Sequence, residues 1–408
     1  MPNCLICESK VQPFISFGPM PIANGFLGAE DFDHERFFDL EVGFCNECTM
    51  VQLTNLVDPG ELFHESYAFY SSTSVRMANH FHRFAERVRK EYLPDTDPFV
   101  VEIGSNDGIM LVNFAEWEMR HLGVEPSSNV AQVAIQKGAN TICSFFNEET
   151  ASDIKREHGE ADAILGANVI CHVVDIHSVI KGVDVLLNGN GVFIFEEPYL
   201  GDIIEKTSYD QIYDEHIFYF SVTSLSALFA QHDMEIVDVI PQNVHGGSMR
   251  YVIARKGAIP AKPIVSETRA RESELGLDQQ STFSAFKEKV HQSRDRLRDL
   301  LTSLKSDGKK IVGYGATSKS TTVTNFCGIG PDLVEFVSDT TPTKQGKYSP
   351  GVHIPVVPYA RFTEMNPDYA LLFAWNHGEE IIANEKNFLE GGGRFITYVP
   401  SVSIIEKA

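Results

Sequence analysis

Four of the seven cysteines in the chain form two CxxC pairs, Cys4 with Cys7 and Cys45 with Cys48. Two such pairs can place four thiolates around one tetrahedral zinc ion, and a shell of four thiolates leaves no position open for water. We therefore predict a structural zinc site. The alternative is a redox CxxC, but that motif normally lies in a thioredoxin-like strand–helix unit, which this segment does not resemble.

A glycine loop follows an apolar run between Glu102 and Gly108. Gly104 and Gly108 allow the backbone to turn tightly beneath a bound nucleoside. A pyrophosphate cofactor favours GxGxxG, whereas this loop reads GxxxG, contains Asn106 and is preceded by an acidic residue. S-adenosylmethionine carries a sulfonium and an ammonium, which suit the carboxylate of Glu102. We therefore predict S-adenosylmethionine as the cofactor.

Two further polar residues belong to the predicted cofactor site. Glu125 closes the next predicted strand about twenty residues beyond Gly104, where a carboxylate can accept hydrogen bonds from both ribose hydroxyls. Asn168 ends the fourth predicted strand, at the carboxyl edge where open sheets bind ligands. The alternative interpretation is a tight turn with a solvated carboxylate at the end of a strand.

Aromatic residues surround an acid–histidine pair between Tyr209 and Tyr219, where Tyr213 precedes Glu215 and His216. A histidine of ordinary pKa near ~6.5 accepts a proton at neutral pH, and a neighbouring carboxylate or tyrosine can orient it or stabilise developing charge. This segment therefore predicts a proton-transfer site. The alternative is an aromatic core that contains a hydrogen-bonded histidine.

A second glycine pair, Gly313 and Gly315, follows an apolar run and precedes Thr317, Ser318 and Lys319. Backbone amides, hydroxyls and a lysine can hold a phosphate at a helix N-terminus. This signal is weak by itself. Together, the two glycine loops favour two nucleotide-like ligands, namely a cofactor and a nucleotide-activated substrate.

The composition is typical of a folded globular protein, with 408 residues, 43% hydrophobic and 22% charged. The chain has 34 Lys and Arg against 56 Asp and Glu, and the net charge of -22 disfavours nucleic acid as a partner. No segment approaches the ~18 uninterrupted apolar residues of a membrane span, and the N-terminus lacks a signal-peptide pattern. We therefore expect a cytoplasmic protein without a membrane partner, and a monomer is compatible with this charge.

Apolar runs that alternate with helix-length segments predict a doubly wound parallel sheet in the middle of the chain. An amphipathic helix over 67–92 leads into it, and a hairpin closes its edge. The predicted strands of this sheet are 99–103, 121–125, 161–165 and 192–195, and those of the hairpin are 235–240 and 248–255. A second, smaller α/β domain is predicted from the apolar runs 310–315, 333–337 and 369–373.

These elements divide the chain into four predicted parts. A zinc-binding module occupies residues 1–66, and a methyltransferase domain with a helical lead-in occupies 67–256. A helical linker over 257–308 precedes a C-terminal α/β domain over 309–408. The predicted fold class is therefore α/β, with a class I methyltransferase sheet, a small zinc module and a C-terminal Rossmann-like domain.

The complete set of motifs resembles one known family, the zinc-containing S-adenosylmethionine-dependent sugar C-methyltransferases. The resemblance covers essentially the whole chain, and the order of so many motifs makes it specific. It rests on the two CxxC pairs and on PIANGF (21–26), VEIGSNDG (101–108), EEPY (196–199), YDEH (213–216), HGG (245–247), GYGA (313–316) and FAWNH (373–377).

The resemblance implies methylation at C3 of a nucleotide-linked 4-keto-6-deoxy sugar, typically attached to dTDP, through an enolate. It implies that His216 is the general base, with Glu215 beside it and Tyr213 and Tyr67 near the sugar or the enolate oxygen. His172 also matches a family active-site position, although a lone core histidine is an equally open interpretation. The residues expected to contact the substrate are Tyr199, His245, Lys319 and Asn325.

Two other classes of function stay open at the level of sequence. One is an NAD(P)-dependent oxidoreductase acting on a nucleotide sugar, in which His216 passes a proton to a carbonyl; the absence of GxGxxG counts against it. The other is a non-catalytic zinc scaffold that binds nucleotides, which the cluster of acids and aromatics disfavours.

Overall fold

Three β-sheets organise the chain in the computed structural model, which describes residues 1–62 and 70–405. Four strands form an N-terminal sheet, seven form a central sheet and six form a C-terminal sheet. The predicted α/β class, with a methyltransferase sheet between two smaller units, is confirmed by this architecture.

The central sheet contains five parallel strands and an antiparallel hairpin at one edge. Its parallel strands are nearly continuous apolar runs because helices cover both faces. In spatial order the strands are Met234–Gln242, Ser248–Arg255, Leu187–Pro198, Ala161–Ala167, Phe99–Ile103, Arg120–Val124 and Thr141–Ile142. The predicted strands and the closing hairpin are therefore present, with small shifts at their ends.

Helices connect these strands and pack on the sheet. The predicted lead-in helix begins at Val75, because the Ser74 hydroxyl caps it by accepting from the Met77 amide at 3.3 Å. The helices of this part are Val75–Glu91, Leu111–Glu116, Ser128–Gln136, Glu148–His158, Ile176–Leu186, Leu200–Lys206 and Val222–Ala230. Short 3-10 helices occupy Ser71–Thr73, Ile170–His172 and Tyr209–Gln211.

The N-terminal sheet is antiparallel and draws one strand from the central part of the chain. Its strands are Val11–Pro21, Phe37–Cys45, Val51–Leu53 and Phe218–Tyr219. A 3-10 helix, Ala29–His34, and a short helix, Pro59–Leu62, complete this unit. Because Phe218–Tyr219 pairs with Val51 and Gln52, the N-terminal unit is joined to the central unit by backbone hydrogen bonds.

The C-terminal sheet is parallel except for its last strand. In spatial order its strands are Val356–Val357, Val337–Ser338, Ile311–Tyr314, Tyr369–Leu372, Arg394–Thr397 and Ser403–Ile405. Its helices are Ser318–Cys327, Tyr359–Met365, Gly378–Asn384 and Lys386–Glu390, with a 3-10 turn at Trp375–His377.

The predicted strand over 333–337 is wrong for most of its length. The amides of Leu333 and Val334 both donate to the Gly330 carbonyl, at 3.1 and 3.0 Å, and therefore form a turn instead of a strand ladder. Both side chains are nevertheless buried, so the apolar run reflects burial in a turn, and the strand itself begins only at Val337.

The segment predicted as a helical linker consists of two helices, Pro263–Glu274 and Gln280–Ser306. The second helix contributes to a hydrophobic core shared with the N-terminal and C-terminal sheets. The Phe283 ring lies 5.1 Å from Phe14 and 4.6 Å from Phe44, measured between centroids. This segment therefore fixes the two smaller units as well as connecting them. The exact four-part division of the chain stays a prediction.

None of the helices within residues 1–62 and 70–405 is long and apolar enough to cross a membrane.

Replacing Phe283 with alanine should lower the free energy of unfolding by about 3–5 kcal/mol, because the fully buried ring leaves a cavity where the sheets meet. Chemical denaturation measures this loss. Phe37→Ala is the matched control, since that ring is 52% exposed and should change stability little. Equal effects of the two substitutions would contradict the shared core.

Candidate active site

A cavity of about 600 Å³ opens at the carboxyl ends of the central parallel strands. The first glycine loop lies on one side, and the segment that contains Tyr213 and His216 lies on another. Residues of the N-terminal and C-terminal units, such as Asn24 and Lys319, complete its wall. The cavity therefore collects most of the predicted site residues, although they come from distant parts of the sequence.

The glycine loop has a backbone that other residues would strain. Gly104 has a φ of +63°, and a Cβ atom there would lie 2.5 Å from Cγ2 of Val169. Gly108 has a φ of +77° and packs closely on Ala134. Asn106 is also left-handed, with a φ of +48°, a conformation that asparagine tolerates better than most residues. The loop is thus held open toward the cavity.

Glu125 lines this cavity with its carboxylate held in place by two backbone amides. Oε2 accepts from the Asn106 amide at 2.9 Å, and Oε1 accepts from the Ser127 amide at 2.8 Å. Burial raises the pKa of Glu125 and the two amide hydrogen bonds oppose this rise. Each oxygen keeps a further lone pair, so the carboxylate is suited to accept hydrogen bonds from the hydroxyls of a ribose.

Glu102 is buried in its strand and does not line the cavity. Burial raises its pKa well above the ordinary value, and the charges of Glu125 and Asp107 raise it further. Glu102 Oε2 and Asp107 Oδ1 have no hydrogen-bond partner among the described residues. Neither residue lines the cavity, so the structure does not bring the predicted Glu102 carboxylate to the cofactor, and Glu125 is the acid placed to meet it.

Tyr213, His216 and His172 form the proton-transfer part of the site. The Tyr213 hydroxyl and His216 Nε2 are 2.7 Å apart, and His216 Nδ1 lies 2.8 Å from the carbonyl oxygen of Gln211. A carbonyl only accepts, so Nδ1 donates and Nε2 is the nitrogen able to accept a proton. The His172 ring stacks on His216 with 5.3 Å between centroids.

Burial keeps these histidines neutral. It lowers the pKa of His216 well below the ordinary value, and the nearby His172 lowers it further. Burial also lowers the pKa of His172 to about 4. Both rings are therefore uncharged at neutral pH, which is the state required of a base.

The turn that carries His172 is organised by Glu197. One oxygen of Glu197 accepts from the amides of Val169, Ile170 and Cys171 at 3.0, 2.7 and 3.3 Å. Burial raises the pKa of this carboxyl to about 7, while the amides lower it. Asn168, just before the turn, lines the cavity with a φ of +52°.

His245 and Lys319 meet at the boundary with the C-terminal unit. Lys319 Nζ lies 3.4 Å from the His245 carbonyl and 5.1 Å from the ring centroid of Trp375. His245 Nε2 is 3.4 Å from Asn168 Nδ2, and burial lowers its pKa to about 3. Burial lowers the pKa of Lys319, and Asp210 opposes this change. Both residues line the cavity.

Two predicted substrate residues are not brought into the cavity. The Tyr199 hydroxyl donates to Glu272 Oε1 at 2.9 Å, so its ring is part of the packing around that carboxylate. Asn325 donates to the carbonyls of Thr321 and Pro350 at 2.8 and 3.0 Å, within its own domain. Tyr67 lies outside the described residues.

Sequence reasoning missed several residues that shape the site. Asn24 lines the cavity and donates to Glu215 Oε1 at 2.6 Å. Gln211 fixes His216 through its carbonyl, and Glu197 fixes the His172 turn. Asn24 and Glu197 stand inside motifs that were already recognised, PIANGF and EEPY. Asn24 lies among apolar residues, and Glu197 follows another acid at the end of an apolar strand. A polar residue within a largely apolar segment was the sequence signal that could have identified both positions.

The four cysteines of the CxxC pairs converge as predicted. Their sulfur atoms all lie within 4.8 Å of one another, with 3.4 Å between Cys4 and Cys48 and 3.5 Å between Cys7 and Cys45. A tetrahedral site with Zn–S bonds of about 2.3 Å has sulfur–sulfur edges of about 3.8 Å, so this cluster fits zinc. Buried thiolates would repel one another without a cation.

A relative and three family models match the chain. The chain is 38% identical to the C-methyltransferase NovU of Streptomyces niveus over 407 aligned residues. The alignment covers 99% of this chain and 96% of the relative. The chain belongs to this C-methyltransferase family. The models describe a zinc binding domain over residues 4–63, a methyltransferase domain over 76–239 and a C-methyltransferase C-terminal domain over 243–400.

Solved structures of other methyltransferases align with part of the chain. S-adenosylmethionine-dependent methyltransferases from Anabaena variabilis and Clostridium acetobutylicum are 17% and 11% identical, each with a TM-score of 0.35. They cover 43% and 46% of this chain, and 84% and 94% of their own chains are covered. At such TM-scores the assignment depends on the relative and the family models.

The chain is therefore an S-adenosylmethionine-dependent C-methyltransferase with a zinc-binding N-terminal domain. This confirms the predicted enzyme class and both cofactors. Because the chain belongs to this family, the C-methyltransferase assignment is preferred over the oxidoreductase and the non-catalytic scaffold. The roles of individual residues stay predictions.

Replacing Cys45 with serine should release zinc and lower the melting temperature, because three thiolates no longer close the tetrahedral shell. Elemental analysis and thermal unfolding measure the two effects. Cys143→Ser is the control, since this cysteine is exposed and lies outside the cluster. Full metal retention with unchanged melting would contradict a structural site.

Glu125→Ala should weaken S-adenosylmethionine binding by roughly tenfold or more, since hydrogen bonds to a charged group contribute about 1.5–3 kcal/mol. Calorimetric titration gives the affinity. Glu116→Ala removes an exposed glutamate nearby and should leave it unchanged. A loss of sugar binding as large as the loss of cofactor binding would argue against this assignment.

Proposed function

We propose that the enzyme methylates C3 of a nucleotide-activated 4-keto-6-deoxy sugar, with dTDP as the nucleotide, through an enolate. The observation that supports this most strongly is the neutral His216–Tyr213 pair in the same cavity as the glycine loop and Glu125. A base beside the cofactor site is what deprotonation followed by methyl transfer requires. Methylation of an oxygen or nitrogen needs a base less, because these atoms are already nucleophilic, whereas a carbon must first lose a proton.

His216 takes the proton from C3 in the proposed reaction. The ketone at C4 makes this C–H bond acidic, and the bonding electrons pass into a C3–C4 double bond as the carbonyl becomes an enolate. Nε2 receives the proton, because Nδ1 is occupied by its hydrogen bond to the Gln211 carbonyl. That hydrogen bond also fixes the plane of the ring.

Tyr213 is placed to stabilise the enolate oxygen. Its hydroxyl donates to His216 Nε2 at 2.7 Å, and turning this donor to the substrate oxygen would stabilise the enolate and free Nε2 to accept the C3 proton. Burial within the cavity strengthens such a hydrogen bond, because water does not compete for it. His172, stacked on His216, restricts the ring from its other side.

S-adenosylmethionine, when bound, would supply an electrophilic methyl group for the nucleophilic C3 carbon, with the neutral thioether as the leaving group. Glu125 would hold its ribose and the loop at Gly104 would support the rest of the nucleoside.

The nucleotide end of the substrate is proposed to lie against the C-terminal unit. Lys319 lines the cavity from the first turn of the helix Ser318–Cys327, and its ammonium lies 3.4 Å from the His245 carbonyl. A single pyrophosphate needs only a few such contacts, so the net charge of -22 does not oppose its binding. Asn325 faces away and is not part of this proposal.

His216→Ala should reduce methyl transfer by roughly 10²–10⁴-fold, the usual contribution of general base catalysis. The assay incubates a dTDP-4-keto-6-deoxy sugar with S-adenosylmethionine in deuterated water and follows the products by mass spectrometry. The wild type should gain a methyl group and lose the C3 hydrogen, whereas the variant should do neither and still bind the cofactor.

His34→Ala is the matched control for this experiment, since this histidine is exposed and distant from the cavity lining. Deuterium exchange without methyl gain in the wild type would mean that the base acts but that the tested sugar is wrong. Undiminished exchange in His216→Ala would assign the base to another residue.

A further inference from the structure

Two consecutive residues of the N-terminal unit bond to two consecutive acids of the active-site segment. The Ala23 amide donates to Asp214 Oδ1 at 3.0 Å, and Asn24 Nδ2 donates to Glu215 Oε1 at 2.6 Å. Each pair is separated by 191 positions in the sequence. Asn24 and Glu215 both line the cavity, so the contact is part of its wall.

The turn that carries Asn24 is fixed from several directions. Gly25 donates its amide to the Ile22 carbonyl at 3.0 Å, which closes a tight turn at the end of the strand Val11–Pro21. The hydroxyl of Thr321, in the C-terminal unit, donates to the Ala23 carbonyl at 2.8 Å. The backbone on both sides of Asn24 is therefore held in place, which positions its side-chain amide for the hydrogen bond to Glu215.

Several charged or titratable groups surround Glu215. Asp214 precedes it, and burial together with the Glu215 charge raises the Asp214 pKa to about 8, so this neighbour carries a proton at neutral pH. Lys344 and Cys171 interact with Glu215 electrostatically from two other elements, and His216 follows it in the chain. A neutral amide in this setting donates a hydrogen bond without adding charge.

We propose that Asn24 is a positioning residue that holds the Glu215 carboxylate ionised and oriented in the cavity. The N-terminal zinc-binding domain thereby completes the active site of the adjoining domain. An ionised carboxylate next to His216 favours the imidazolium that forms when this base accepts a proton. Only this last step, the use of Glu215 in catalysis, rests on the proposed function.

The first test reads the Glu215 carboxylate directly and needs no substrate. Protein labelled with ¹³C at the glutamate carboxyl groups is titrated by NMR, and the Glu215 resonance is assigned by its loss in Glu215→Gln. Asn24→Ala should raise its titration midpoint by about one pH unit, because a carboxylate that loses an amide donor binds its proton more tightly. Asn24→Asp should raise it further through like-charge repulsion.

Asn55→Asp is the control, because it adds the same charge at an exposed asparagine of the same domain and should leave the Glu215 midpoint unchanged. Zinc content and melting temperature of each variant show whether the domain is folded. An unshifted Glu215 midpoint in folded Asn24→Ala would overturn the inference. So would equal shifts in Asn24→Asp and Asn55→Asp.

The second test measures methyl transfer across pH. Asn24→Ala should lower kcat about tenfold at neutral pH with little change in the KM for S-adenosylmethionine, and its acid limb should move to higher pH. A tenfold rise in that KM with unchanged kcat would contradict a positioning role. If the wild type does not methylate the sugar, the proposed function fails, whereas the NMR result still decides the role of Asn24.

Discussion

The N-terminal wall of the active site is carried by a strand that begins beside the cluster of four thiols. Val11 begins the first long strand and pairs with Cys45, so this end of the strand lies beside the metal site. The same strand ends at Pro21, directly before the turn that reaches Glu215. One strand thus connects the metal site at its start with a side chain of the cavity wall just beyond its end.

Electrostatics inside the cavity differ from those of the whole chain. The chain carries a net charge of -22, whereas the cavity holds the buried His216 and the half-buried His172 and His245, whose pKa values are all lowered by desolvation. Lys319 is the cation at its C-terminal side. Such a site offers neutral imidazole nitrogens together with a cation that can receive an anion, properties that net charge alone does not reveal.

Local patterns in the sequence predicted the features that depend on neighbouring residues, namely the buried strands and the metal ligands. The strands Phe99–Ile103 and Ala161–Ala167 are continuous apolar runs, and the CxxC spacing limits the possible metal geometry. Contacts between side chains that are far apart in the sequence were not predictable in this way. Tyr199 turns toward Glu272, and the Asn24–Glu215 contact joins residues that no periodicity connects.

The strand Phe218–Tyr219 has a consequence for recombining this enzyme with its relatives. It completes the N-terminal sheet although it lies after the central parallel strands in the chain. A chimera joined between residues 63 and 69 would combine one parent's sheet with the other parent's final strand, beside the segment that carries His216. Exchange of substrate preference by crossover should therefore succeed only between parents whose pairing edges at Val51–Leu53 are compatible.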